Sequence, residues 1–595
     1  MPWLLTRRRL LLAASVLPFT LRLMPKVRAM VAPPQLLTDP VLQLPTPTSV
    51  RVVWFTEFVG KRHTVHYGKD LEQVAIAMTR QLSRTAEDAD SLIPQPPQGV
   101  IARPVWRHEA TVTGLQPGQR LPYRVTSERE DQATVHSAIY HLAAAPTRGQ
   151  PLKILLTSDH QLKPMVAANL QKVVETVGPV DLVLFAGDLV NTPDRASEWF
   201  DEINGGAFFP ALQGRAHYTL EKNNQKTLYR GAAIIQNAPM YTAIGNHEVM
   251  GRRAPGLSLN QQYNRAVPRQ VAISHYYKEK GIPYNDQNAS MIQQQNPIDP
   301  QWLKDHSFNT DTYEELFTLP QSPMGGQRYY SVSFGDMRLI VLYVTNVWRS
   351  PSLDPQVQGK YREREDDVQA RNLLEWGHGQ HIFEPIHKGS PQYQWLEQEL
   401  QRPEWRQARY KVVMFHHPPH SLGENSVPPY TDPLAIYETD EAGNTSLRYE
   451  YPKQNDYIIR DLLPLLEKAG TNLVFYGHSH LWNRFVSPSG THFLETSNVG
   501  NSYGAYINGK RRQVPQDTRY DQRNYAPEGN PYGLEAVIPT IAPLLDEAGR
   551  PLAYVASNDI TVFSILDTGT GIVSSYRFDT RQPDQGVVKF DQFSL

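Results

Sequence analysis

The sequence predicts an α/β protein, in which a layered α/β domain follows a small all-β sandwich. Three observations carry that expectation. Between about Leu42 and Ala145 short runs of alternating apolar and polar residues are separated by glycine and proline turns, with no helical period. After a linker from Pro146 to Pro151 the pattern changes to strand, helix, strand. Five apolar runs of that second part then stop abruptly at side chains capable of chemistry. In an open α/β sheet such turns gather at the carboxyl ends of the strands, where ligands bind.

At 595 residues the chain exceeds a single hydrophobic core, and its 48 prolines predict many loops. A formal net charge of −1 leaves no electrostatic footprint for a nucleic acid, so no nucleic-acid partner is expected. There is no cysteine, which excludes disulfides, thiolate metal sites and cysteine nucleophiles. Any metal must sit on His, Asp, Glu, Asn, Gln or Tyr. The N-terminus reads Thr6-Arg7-Arg8-Arg9-Leu10-Leu11-Leu12, followed by an apolar run to Leu23 that Pro18 and Arg22 interrupt. Residues 1–29 therefore read as a signal peptide, with Val27-Arg28-Ala29 offering a cut after Ala29. The arginine pair resembles a bacterial twin-arginine export signal, which implies a periplasmic or extracellular protein with no stable membrane span after processing. An uncleaved anchor is the alternative.

The first globular segment, residues 38–147, carries strand patterns at Ser49 to Phe55, His63 to Gly68, Arg107 to Thr113, Tyr123 to Val125 and Ala138 to Leu142. Strands this short and regular indicate a β-sandwich of about 100 residues. Its Gly114-Leu115-Gln116-Pro117-Gly118 turn, followed by Tyr123-Arg124-Val125, resembles a fibronectin type III module. His63, His66 and His108 lie inside strand patterns without acidic partners at ligand spacing, and are expected to be packing or surface residues.

The second segment, residues 150–595, holds the five interrupted strands. Lys153 to Ser158 runs into Asp159, Leu182 to Gly187 into Asp188, and Tyr241 to Gly245 into Asn246, His247 and Glu248. Lys411 to Phe415 delivers His416 and His417, and Leu473 to Gly477 delivers His478 and His480. This mixed oxygen and nitrogen set suits borderline transition metals, and one cation cannot use all of it. Helices are expected at 162–177, 391–400 and 455–469, the last capped by Asn455 and stopped by Gly470. Further strands fit 328–334, 337–345, 560–566 and 571–578. Four stretches of weak pattern, at 205–238, 251–305, 421–451 and 498–539, are expected to wall a substrate cleft.

The ordered set Asp159, Gly187-Asp188, Gly245-Asn246-His247-Glu248, His416 and Gly477-His478-Ser479-His480 resembles the calcineurin-like metallophosphoesterase superfamily. With the sandwich in front, the likeness is to purple acid phosphatases and their bacterial relatives. The resemblance implies a four-layer fold, a metallophosphoesterase β-sandwich flanked by helices. It also implies two metal ions, iron paired with zinc, manganese or a second iron. Asp188 would be shared by both ions. Asp159 and His480 would complete the first, and Asn246, His416 and His478 the second. His247 would not be a ligand and could protonate a leaving group. Glu248 would orient His247 or its turn, and His417 is a candidate substrate contact ahead of His420.

Two positions depart from that family. The third residue of the first motif is Gln161 where many relatives have histidine, and Asn191 stands where purple members have tyrosine. Either amide oxygen, or a water, is left to fill the ligand position. His160 is expected to point away from Asp159, as strand neighbours do. The function implied is an exported, acid phosphatase-like hydrolase that cleaves small phosphate monoesters with metal-activated water. Two alternatives stand beside it: a phosphodiesterase or nucleotidase on the same metal core, and a non-catalytic extracellular binding protein with a degenerate site. No feature specifies an oligomeric state.

Overall fold

The structure is a computed structural model that describes residues 32–595 apart from 266, 286, 349–379, 427–428, 433, 444, 508–509, 512–520, 525–529 and 531–532. The expected signal segment 1–29 lies outside the described residues. Among those described, no helix is long and apolar enough to cross a membrane.

The N-terminal part is a two-sheet sandwich. One sheet runs Val41–Thr46, Ser49–Thr56, Trp106–Thr113, Met78–Gln81. The other runs Thr134–His136, Arg120–Glu128, Arg62–Tyr67, Gln73–Ile76, with Tyr140–Ala143 also paired to Arg120–Glu128. Alternate residues point inward, so Val50, Val52 and Trp54 meet Val65, Tyr123 and Val125 in one core. His63 and His108 stack at 3.5 Å within it. Thr56 and Thr79 hydroxyls bond the two ring nitrogens of His108 at 2.8 and 2.9 Å. Burial, then the neighbouring His63, push His108 down to about 2. These histidines pack, as the sequence pattern suggests.

Between Met78–Gln81 and Trp106–Thr113 the sandwich sends out an excursion in which Ala86–Glu87 pairs with Ile101–Ala102. This excursion docks on the second domain: Ala86 N donates to Asp194 O at 2.9 Å, and Ser197 Oγ to Glu87 Oε2 at 2.9 Å.

The second domain is built on two mixed sheets. The first orders Met240–Thr242, Leu182–Phe185, Lys153–Thr157, Ile560–Asp567, Ile572–Asp579, Val588–Ser594. The second orders Tyr330–Phe334, Met337–Val341, Tyr410–Met414, Leu473–Tyr476, His492–Thr496, Trp482–Val486, Tyr554–Val555. Facing side chains join the sheets, with Thr496 Oγ1 2.9 Å from Ser564 Oγ and Trp482 Nε1 donating to Ser575 Oγ at 3.0 Å. Helix Val166–Val177 covers the outside of the first sheet, where Asn169 Nδ2 donates to Thr561 Oγ1 and Val562 O. Helix Pro391–Glu399 covers the second, with Gln392 bonding the main chain of Tyr343 in both directions. Helix, sheet, sheet, helix is the four-layer arrangement expected. All five motif strands are parallel to their motif neighbours within each sheet, which sends their carboxyl ends to one edge.

Local differences have local causes. The first helix starts at Val166, not 162, because Gln161 and Leu162 both have positive φ, 40° and 53°, and so continue the turn. The segment at 455–469 is not one helix. A π turn at Ile458–Leu462 precedes Leu463–Lys468, since Pro464 has no N–H and crowds the carbonyl one turn back. Its cap is Asp456, whose Oδ1 accepts from Ile458 N and Ile459 N, rather than Asn455. Three of the weak-pattern stretches hold regular structure: hairpins at Tyr218–Lys222 with Gln225–Tyr229 and at Leu434–Thr439 with Thr445–Glu450, and helices such as Arg269–Glu279.

Candidate metal centre

The five motif turns converge at the shared edge of the two sheets. Asp159 and Asp188 both sit at positive φ, 57° and 58°, immediately after their strands, which swings their carboxylates out of the sheet and over its end. Both are buried. Close approach of the turns requires glycine. A Cβ on Gly245 would lie 2.2 Å from Asp188 Oδ1, and one on Gly477 would lie 2.3 Å from Asp159 Oδ2.

Two groups of donor atoms form around Asp188. In the first, Asp159 Oδ1 lies 3.4 Å from His480 Nε2, and Asp159, Asp188 and His480 are close enough to hold one ion. In the second, Asn246 Oδ1 is 3.1 Å from both His416 Nε2 and His478 Nδ1, while Asp188 Oδ2 is 3.2 Å from His416 Nε2. His416, His417 and His478 also fall within reach of one ion, because His417 stacks on His478 with ring centroids 4.0 Å apart.

The imidazoles are oriented by main-chain carbonyls, which can only accept. His416 Nδ1 donates to Ala186 O at 2.8 Å and His480 Nδ1 to Asn501 O at 2.9 Å, so Nε2 of each faces the carboxylates. Burial would raise Asp159, but His480 and His416 hold its carboxyl below the usual range. For Asp188 burial is likewise outweighed, by His416 and then His247. Burial pulls His416 down, yet the charge of Asp188 holds it up at about 10. Burial, with His416 alongside, pushes His478 down to about 3, which keeps its lone pair. The pocket thus favours positive charge beside Asp188.

These residues fit a pair of cations on an observation of their own. Among the described residues the buried Asp159 Oδ1 receives no hydrogen bond, His480 Nε2 lying 3.4 Å away, and an unsatisfied buried oxygen costs on the order of 1–3 kcal/mol or more unless a cation satisfies it. The donor set, two carboxylates, an amide and three imidazoles, is that of intermediate transition metals.

Other residues support this set. His247 is half-buried, donates from Nδ1 to Asn191 O at 2.7 Å, and lies on the ring of Tyr263 at 5.3 Å. Glu248 holds the turns: its Oε2 accepts from Gly245 N and Asp188 N, and its Oε1 from Leu189 N. Burial and the charge of Asp188 push Glu248 up to about 8, while those three N–H groups pull it back towards the charged form. Gln161 presents its amide N–H to Asp188 Oδ2 at 2.9 Å, and Asn191 spends its own on the Gln161 carbonyl at 3.0 Å. His160 turns away, bonding Thr157 Oγ1 and meeting Phe185 edge-on. His420 also lies apart, 3.2 Å from Asn530 Oδ1 and packed on Phe485 and Phe493.

Four contributors escaped the sequence reading. Glu495 accepts from Ser479 N at 2.7 Å and so fixes the turn that carries His478 and His480. Lys163 is buried, with Nζ 3.3 Å from His480 Nδ1, and burial pushes it down to about 8. Tyr503 lies over His480 at 5.0 Å, and Tyr263 under His247. Only the position of Lys163, four residues after Asp159, was a signal. The others come from the weak-pattern stretches or a later strand. Three of those stretches reach the site, through Tyr263, through Asn425 Nδ2 on His478 O, and through Asn501 and Tyr503.

Residues 152–481 match the family model of calcineurin-like phosphoesterases, and residues 38–143 match that of the purple acid phosphatase N-terminal domain. No curated protein matches the chain. Among solved structures, a purple acid phosphatase, PPD1, from yellow lupin (Lupinus luteus) seeds is 14% identical. The alignment covers 93% of this chain and 74% of that one, with a TM-score of 0.49. GAP50, the anchor in the inner membrane complex of Plasmodium, is 8% identical over 74% of this chain and 89% of its own, at 0.31. A dimetal phosphatase from Danio rerio is 10% identical over 74% and 99%, at 0.29. All three TM-scores fall below 0.5.

Proposed function

The chain belongs to the calcineurin-like phosphoesterase family and has a purple acid phosphatase N-terminal domain, and from that premise we propose that it hydrolyses phosphate monoesters outside the cytoplasm. The observation that carries this reading is the convergence of Asp159, Asp188, Asn246, His416, His478 and His480 into two donor groups sharing Asp188. These side chains would hold two metal ions. When bound, the ions would polarise the phosphoryl group and acidify a water for attack.

The remaining work falls to the chain itself. Main-chain acceptors at Ala186 and Asn501 keep the imidazoles turned to the site, so little reorganisation is needed there. Glu248 and Glu495 lock the turns that bring the carboxylates and imidazoles together. His247, held on Asn191 O by Nδ1, would protonate the departing oxygen from Nε2. His417, stacked on His478, is a candidate wall of the substrate pocket. Export through the twin-arginine route would deliver the protein folded, with its metals loaded. The test is a panel of phosphate monoesters and their diester analogues, run on natively exported protein of known metal content. Monoester turnover with two ions per chain supports the reading. Selective diester turnover would make the chain a phosphodiesterase, and no turnover at two ions per chain would leave a binding protein.

A further inference from the structure

His247 has two supports, and one residue of the N-terminal domain reaches both. Asn191 O accepts from its Nδ1 at 2.7 Å, and the ring of Tyr263 lies against it at 5.3 Å, tilted by 23°. Asp88, only 1% exposed, belongs to the excursion that the sandwich sends out after Met78–Gln81. Its Oδ1 accepts from Arg195 Nη2 at 3.0 Å and Nε at 3.2 Å. Arg195 Nη1 donates to Glu198 Oε1 at 2.8 Å, and Glu198 Oε2 accepts from Asn191 N at 2.6 Å and Thr192 N at 3.0 Å. That path ends at the peptide whose carbonyl holds His247. The other oxygen of Asp88, Oδ2, accepts from Leu259 N at 2.7 Å. Leu259 opens the short helix Leu259–Tyr263, and Tyr263 closes it.

We propose that Asp88 is a positioning residue for His247, so that the N-terminal domain takes part in turnover by setting the orientation of the proton donor. The inference rests on the reading of His247 as that donor. Asp88, Arg195 and Glu198 are all buried, and a buried charge is costly to leave unpaired. Removing the Asp88 carboxylate unbalances Arg195 and takes the acceptor of Leu259 N from the first turn of the Tyr263 helix, which then keeps only its Ser258–Gln261 cap, so both supports loosen at once. None of the three residues is a metal donor in either group around Asp188, so metal content should not depend on them.

The experiment uses the full, metal-loaded chain with Asp88→Ala and Asp88→Asn, each alone and combined with His247→Ala. Metal content is measured with kcat on an alkyl phosphate and on nitrophenyl phosphate. Asp88→Ala should keep its metals and lower the alkyl-to-nitrophenyl ratio of kcat by about tenfold, part of the 10²-fold or more at stake in a proton donor. Asp88→Asn, which retains an acceptor for Leu259 N, should lower it less. In the His247→Ala background neither change should lower the ratio further, because coupled residues are not additive. Equal losses on both substrates, or the same loss repeated in that background, would overturn the proposal. If Asp88→Ala does not fold, an unchanged ratio in Asp88→Asn overturns it alone. If His247→Ala itself leaves the ratio unchanged, the donor reading falls and takes this inference with it.

Discussion

The Nδ1–H of His247 and the main-chain oxygen of Asn191 are joined at 2.7 Å, and because a carbonyl only accepts, this bond fixes Nδ1 as the ring nitrogen that carries the donated hydrogen. As the proposed proton donor, His247 would therefore act from Nε2. A proton donor helps most when the departing oxygen is a poor leaving group. His247→Ala should therefore slow alkyl phosphate hydrolysis by about 10²-fold or more and cost much less with nitrophenyl phosphate. Metal content should stay at the wild-type level, and a loss of metal would make His247 a ligand.

Gly245 has an ordinary φ, so its need for glycine is one of space. The Cβ of an alanine would lie 2.2 Å from Asp188 Oδ1 and 2.5 Å from Asp188 N, and the latter is main chain that cannot swing away. Gly245→Ala should destabilise by about 1–3 kcal/mol, the usual range for overpacking, and lower metal content through Asp188. Thermal melting and elemental analysis of the variant check both. A wild-type melting temperature with full metal would show that the two turns need not touch.

The N-terminal sandwich should lose stability in mild acid. Burial and His63 push His108 down to about 2 in the folded chain, whereas the unfolded histidine titrates near the ordinary 6.5. The unfolded state thus binds the extra proton. The stability His108 gives by staying neutral is complete above about 6.5, and erodes as pH falls below it towards 2, by up to about 1.4 kcal/mol per pH unit. His108→Gln should flatten melting temperature against pH between 6.5 and 4. An unaltered slope would mean that other groups set the acid limit.

How much of this was legible depended on where the information lay. The side chains that converge could be located because each ends an apolar strand, and a strand that stops at Asp, Asn or His declares its turn, while the family resemblance set Asp159, Asp188, Asn246, His416, His478 and His480 apart from the adjacent His247, Glu248 and His417. The hairpin at Tyr218–Lys222 and Gln225–Tyr229 was missed: Asn223-Asn224 suits the positive φ of 49° and 62° found there, but the polar strands on either side hide the pattern. The supports of the site were not legible. Glu495 meets Ser479 across 16 residues, Asp88 meets Arg195 across 107, and nothing local in a sequence marks such pairs. Asn191 illustrates the difference. Its side chain stands where purple members have tyrosine and donates to Gln161 O, while its hold on His247 is through a main-chain oxygen, which any residue would bring.

Export should require the arginine pair. Arg7 and Arg8 precede a short apolar core that Pro18 interrupts. Replacing both with lysine should hold the precursor in the cytoplasm, as followed by cell fractionation. Undiminished export of the double variant would remove the twin-arginine assignment.

The most direct test of the whole account is the metal content of Asp188→Ala beside that of wild type, both purified after native export. Asp188 is placed against both donor groups, through His416 on one side and the Asp159 and His480 group on the other. The account predicts two ions per wild-type chain, and in the variant a reduction at both positions with phosphomonoester turnover abolished. An Asp188→Ala protein that keeps two ions would contradict it.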